Sequence, residues 1–150
     1  MASLVARASL VITIMTLGQV CGVFLGYAIG DRFEKRYVAA VCMLMHAAGM
    51  LLLTYAQGIA MLIAFALVHG FAWGLRGPFM QAIRADYFGR NAIGMIMGLS
   101  GVIIAMGQIG GPLVAGVMAD LFGNYRTGFT LLAVFAGLGS LLFVLARKPQ

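Results

Sequence analysis

Chemistry is read most directly from Arg76. It stands inside an apolar run, eight residues before Arg84. That is about 12 Å along a helix axis, and a charge at such depth in a bilayer costs on the order of 3 kcal/mol unless protein, water or a partner meets it. His69, Trp73, Arg76 and Met80 fall at i, i+4, i+7 and i+11, which is one stripe of a helix. The stripe is expected to line a cavity, with Arg76 as counter-ion for a small organic anion and His69 and Trp73 as further substrate-binding residues. The competing expectation is that Arg76 snorkels to the interface or pairs with Asp86 at a helix end. Gln19 and Gln108 lie near mid-depth by count and can hydrogen-bond either a substrate or a neighbouring helix. His46 stands alone on a different run and reads as a packed or interhelical residue.

No nucleophile, metal or cofactor site joins this stripe. Gly98-Leu99-Ser100-Gly101 has the G-x-S-G pattern of rhomboid-type intramembrane proteases, yet His46 and His69 both precede Ser100, the reverse of the order those enzymes use. Cys21 and Cys42 are isolated within apolar runs, so neither a disulfide framework nor a metal site is indicated. The chain is expected to be no enzyme, with no catalytic residue, no metal and no cofactor.

The elements that hold the stripe must be membrane helices. The 150 residues are 63% hydrophobic and 9% charged, with mean hydropathy +1.02. Soluble domains carry about 25% charged residues, so a soluble enzyme, a nucleic-acid-binding module and a disordered tail are excluded. Five apolar runs, about 8–30, 37–56, 58–83, 92–119 and 126–146, each suit a bilayer about 30 Å thick. This predicts an all-α, polytopic membrane protein with one transmembrane domain over 1–150, surrounded by lipid. The short connectors predict that each helix lies antiparallel beside the next. A signal peptide over 1–20 is disfavoured, because the apolar stretch continues to Gly30 without an A-x-A-like site.

The net charge of +6 orients these helices. Arg32, Lys35, Arg36, Arg84, Arg90, Arg147 and Lys148 share one side, against Arg7 and Arg126 on the other. The positive-inside rule then predicts an external N-terminus and a cytoplasmic C-terminus, in the plasma or inner membrane. Gly18, Gly22, Gly26 and Gly30 recur every fourth residue on the first run, and Gly94 and Gly98, then Gly107, Gly111, Ala115 and Ala119, repeat the device on the fourth. Such faces let apolar helices approach backbone to backbone. Gly116 extends the fourth run's glycines, and Gly110-Gly111-Pro112 predicts a bend or hinge, since proline removes one helical hydrogen bond.

Three connectors share an acid, a Phe two residues on, and a base beyond: Asp31-Arg32-Phe33 with Lys35-Arg36, Asp86-Tyr87-Phe88-Gly89-Arg90, and Asp120-Leu121-Phe122-Gly123-Asn124-Tyr125-Arg126. Here the sequence resembles the major facilitator superfamily of secondary transporters. The stretch from Gly26 through Gly30, Asp31, Arg32, Lys35 and Arg36 is similar to that family's G-x-x-x-D-R-x-G-R-R loop, with Glu34 in place of a glycine and the first glycine one place early. The resemblance implies a gating loop at these residues and a cytoplasmic connector at Arg84, Asp86 and Arg90. Gly111-Pro112-Leu113-Val114-Ala115-Gly116 looks like the end of the next-to-last helix. Nearly the whole chain then resembles the last five of twelve helices, especially in the monocarboxylate and oxalate/formate branch. A second register also fits, in which Gly107 to Gly116 is the glycine-proline motif of the fifth helix of proton antiporters.

The expected function is therefore a partial secondary transporter that moves a small solute by alternating access, not competent without an N-terminal half or another membrane subunit. The alternative is a non-transporting membrane interaction or assembly protein that uses its glycine faces to bind a partner. No nucleic-acid partner is expected.

Overall fold

The structure, a computed structural model, describes residues 2–89 and 91–146. Arg90, Arg147 and Lys148, counted above on the basic side, lie outside the described residues. Regular structure among the described residues is all helix: α1 (Ala2–Ile29), α2 (Lys35–Thr54), α3 (Ile59–Phe88), α4 (Ile93–Phe122) and α5 (Arg126–Leu145). All five are long and apolar enough to cross a membrane. Three threonines suit that setting. Thr13, Thr16 and Thr54 each donate to the carbonyl four residues back, on Ser9, Ile12 and Met50, so none is left orphaned toward lipid.

Helix ends are set by glycines more than by charges. Polar residues at an interface propagate a helix readily, so α3 runs past the expected end at 83 to Phe88, and α4 past 119 to Phe122. Gly89 and Gly123 then stop them, at φ +76° and +70°, where an L side chain is disfavoured. Asn124 stitches the second of these turns, donating to the Phe122 carbonyl and accepting from the Arg126 amide, both at 3.0 Å. Arg84 and Asp86 therefore ride on the last turns of α3, not in a loop. The three look-alike connectors are built differently: Asp86 and Asp120 lie within a final helical turn, whereas Asp31 follows the α1 terminator. That terminator is Gly30, at φ +51°, so Gly30 ends α1 and does not extend its packing face.

Packing does not follow chain order. Among the described residues α1 and α2 make no contact, against the expectation that successive helices neighbour each other. α1 packs on α3, α3 on α2, and α2 on α5, while α4 makes only light contact with α5 and α3. Directions follow from the contacts. Met15 meets Gly70, Gln19 meets Gly74, and Gly26 meets Pro78, so α1 and α3 run parallel. Met43 meets Gly139 and Tyr55 meets Thr130, so α2 and α5 run antiparallel.

The α1–α3 seam explains the choice of partner. A Cβ on Gly22 would land on the Phe71 carbonyl, on Gly70 on the Met15 carbonyl, and on Gly74 on the Gln19 carbonyl. Backbone touches backbone along a surface that glycines from both helices make smooth. Gly70 and Gly74, four apart and preceded by Ala66, are the half of this seam that the reading of α1 alone missed, although the spacing was present in the sequence. On the other flank of α3, Cys42 of α2 packs with Ala72, Leu75 and Phe79. α4 is helical without a break through Pro112, and α3 likewise through Pro78, because one lost hydrogen bond does not interrupt the turns around it. The hinge expected at Gly110-Gly111-Pro112 thus leaves no interruption.

Candidate functional site

α2 and α3, antiparallel neighbours, bring polar groups from the middle of each helix together. The His46 and His69 rings meet edge to face, centroids 4.6 Å apart, with their Nδ1 atoms 3.4 Å from each other. Trp73, one turn along α3, stacks toward His69 at 6.5 Å and takes His46 edge-on at 5.8 Å. The Arg76 guanidinium lies 5.1 Å from the Trp73 ring centre, within cation–π range. Three of the expected substrate-binding residues, Arg76, His69 and Trp73, are therefore contiguous. His46 joins them from α2, which no pattern within either run could announce.

The cluster has a closed end and an open end. His46 is 6% exposed and Trp73 46% exposed. Gly49 of α2 makes room at the closed end, since a Cβ there would come within 3.1 Å of the His69 Cβ and 3.3 Å of its Nδ1. Arg76 is half-buried, and among the described residues it forms no ion pair or hydrogen bond. The expected alternative partner, Asp86, is taken by Lys35. Gln19 sits level with this site on α1, its carbonyl against Gly74. Gln108 is not brought to it: it lies exposed on α4, away from the cluster's contacts.

A second polar site closes one end of the bundle. Lys35, at the start of α2, bonds Asp31 at 2.9 Å and Asp86 at 2.6 Å. The same amine thereby ties the end of α1 to the end of α3, two helices that run parallel. A hollow of about 400 Å³ opens beside it, between Phe33, Ile83 and Tyr87. Arg36 turns to Glu34 at 2.7 Å and to the Tyr37 ring at 4.7 Å. Arg32 is exposed, and Arg84 reaches the Met97 sulfur at 3.4 Å across to α4. Arg90, expected on this connector, lies outside the described residues. The Tyr87 hydroxyl donates to the Ala146 carbonyl, which puts the end of α5 on this same side. Tyr55, Arg126 and Thr130 cluster at the opposite side.

The glycines expected to pack fall into two groups. Gly18, Gly22 and Gly26 are buried against α3. Gly107, Gly111 and Gly116 meet nothing within 4 Å, and the only buried residue described on α4 is Ala115, which packs on Gly128 of α5.

Compared with known proteins, the sequence matches the family described as Major Facilitator Superfamily over residues 4–150. It is 33% identical over 120 residues to a Multidrug resistance protein B homolog of Mycobacterium tuberculosis (strain ATCC 25618 / H37Rv), covering 80% of this chain and 22% of that protein. It is 28% identical over 138 residues to the putative uncharacterized transporter YgaY of Escherichia coli (strain K12), covering 91% of this chain and 34% of that protein. The chain thus spans about a fifth to a third of the length of these relatives. No solved structure gives a significant match.

Proposed function

Because the chain belongs to the Major Facilitator Superfamily, we propose that its five helices form part of a secondary transporter that moves a small organic anion, held at Arg76, by alternating access. Membership in a transporter family and five apolar helices make it an integral membrane protein and not an enzyme. The substrate reading goes further and rests chiefly on one observation: Arg76 is a half-buried cation against Trp73 that no carboxylate among the described residues neutralises. An anion entering from the open side of Trp73 would meet that charge. This reading sides with the monocarboxylate and oxalate/formate branch, and with placement in the C-terminal half of the fold.

The Lys35 tie between Asp31 and Asp86 is the proposed cytoplasmic gate, because breaking it would free α1 and α3 from the connector before α2. It also supports a common side for the two basic connectors, and the positive-inside rule makes that side cytoplasmic, with the N-terminus outside. The open glycine face of α4 and the exposed side of Trp73 supply surfaces that an N-terminal half or another membrane subunit would cover. The same face favours the second reading, an assembly role without transport.

Trp73 is the chain's single tryptophan, so its fluorescence reports on the site directly. In lipid nanodiscs, oxalate should change Trp73 emission saturably. Arg76→Gln should weaken the response about tenfold or more, the loss of a charge-assisted contact, and Arg76→Lys less. An unchanged oxalate response in both variants removes the counter-ion role.

A further inference from the structure

We propose that His46 and His69 together hold one exchangeable proton, and that the pair takes it up in concert with an anion beside Arg76. This inference rests on the anion reading of Arg76 and adds to it the ion that accompanies the substrate.

The geometry carries the first half. Two Nδ1 atoms at 3.4 Å form a hydrogen bond only when one ring donates and the other accepts. Two neutral imidazoles own one N–H each, so the rings must adopt complementary tautomers: the donor protonated at Nδ1 with a bare Nε2, the acceptor protonated at Nε2. An added proton forms an N–H bond at the donor's bare Nε2, and no other bond breaks. The pair then carries one positive charge across an N–H···N bridge. His46 Nε2 is buried with no hydrogen-bond partner, so where His46 is the donor ring the added proton meets no protein acceptor, and an entering anion or water has to meet it. Gly49 admits His69 to this position, as though the notch on α2 existed for the pair. Among the described residues no third His, Cys, Asp or Glu completes a metal-binding set around it.

The surroundings carry the second half. Cys42 lies one turn from His46 on α2, and Arg76 follows Trp73 on α3. The charged residues described on the other helices stand near their ends: Arg7 on α1, Asp120 on α4 and Arg126 on α5. All four acidic residues of the chain, Asp31, Glu34, Asp86 and Asp120, are at connectors or helix ends. A protonated pair would thus face the Arg76 cation with no internal carboxylate to offset either charge. An anion at Arg76 removes that opposition, so anion and proton bind cooperatively, and by linkage each raises the affinity of the other by the same factor.

The chain's two histidines make the test direct. Nitrogen-15 histidine labelling in nanodiscs, read by NMR from about pH 5 to 8 with and without oxalate, separates tautomers and counts protons. The expected result is complementary tautomers and one proton taken up per pair, with a midpoint higher by about one pH unit when oxalate is bound. Oxalate affinity, from Trp73 emission, should then be about fivefold tighter at pH 6 than at pH 8, and His69→Gln should abolish this pH dependence. Two independent ordinary titrations overturn the proposal, as does proton uptake identical with and without bound oxalate. Oxalate that never perturbs Trp73 sinks the anion reading and the coupling together, while the tautomers in the same spectra still decide whether the histidines share a hydrogen. The unsubstituted chain supplies both main readouts, so a poorly folding variant does not blur them.

Discussion

α1 and α4 carry the same small residues at the same four-residue spacing and end in opposite surroundings. On α1, Gly18, Gly22 and Gly26 disappear against α3. On α4, Gly98, Gly107 and Gly111 look onto open space. The difference lies in the opposing surface. α3 answers α1 with glycines of its own, Gly70 and Gly74, in a parallel register that alternates with them, whereas among the described residues α4 finds a matching glycine only at Gly128 of α5. A small-residue face is therefore an offer of close approach, and a complementary face elsewhere in the chain decides whether it is taken up.

Substitutions put this contrast to the test. Gly74→Leu should have the largest effect, because even its Cβ collides with the Gln19 backbone; overpacking of this kind costs about 3 kcal/mol, read as a fall in thermal stability in detergent. Gly49→Ala strikes beside the seam and should cost about 1 kcal/mol, with the displaced His69 visible as a changed Trp73 emission. Asp86→Asn removes one partner of a partly exposed Lys35 and should cost about 0.5 to 1 kcal/mol, lessened by salt. Gly111→Leu on α4 should change the stability of this chain by less than about 0.5 kcal/mol. If Gly111→Leu destabilises the isolated chain as strongly as Gly74→Leu, the two faces are equivalent and the contrast fails.

The site divides along similar lines. His69, Trp73 and Arg76 were legible as one stripe because they share a helix, and helical spacing alone puts them on one side. His46 was legible only as a lone histidine, since its partner is 23 residues away on another helix. Asp31 and Asp86 looked like members of one repeated motif. In the fold they serve the same Lys35 from different local structures, because glycines before one and after the other place the helix ends differently. Gln108 falls near the middle of α4 by count, yet position along a helix says nothing of which way its face is turned.

The apolar runs of the sequence were enough to give five helices long enough to cross a membrane, and roughly where each begins and ends. These are properties summed along one segment: apolar length against bilayer thickness, and the need of a lipid-exposed backbone to bond with itself. Tertiary structure alone decided that α1 passes over α2 to lie on α3, that α4 stays largely uncovered, and that His46 meets His69. In lipid no difference in hydrophobicity ranks one helix partner above another. Association turns on the fit of two surfaces distant in sequence, and only folding brings those together.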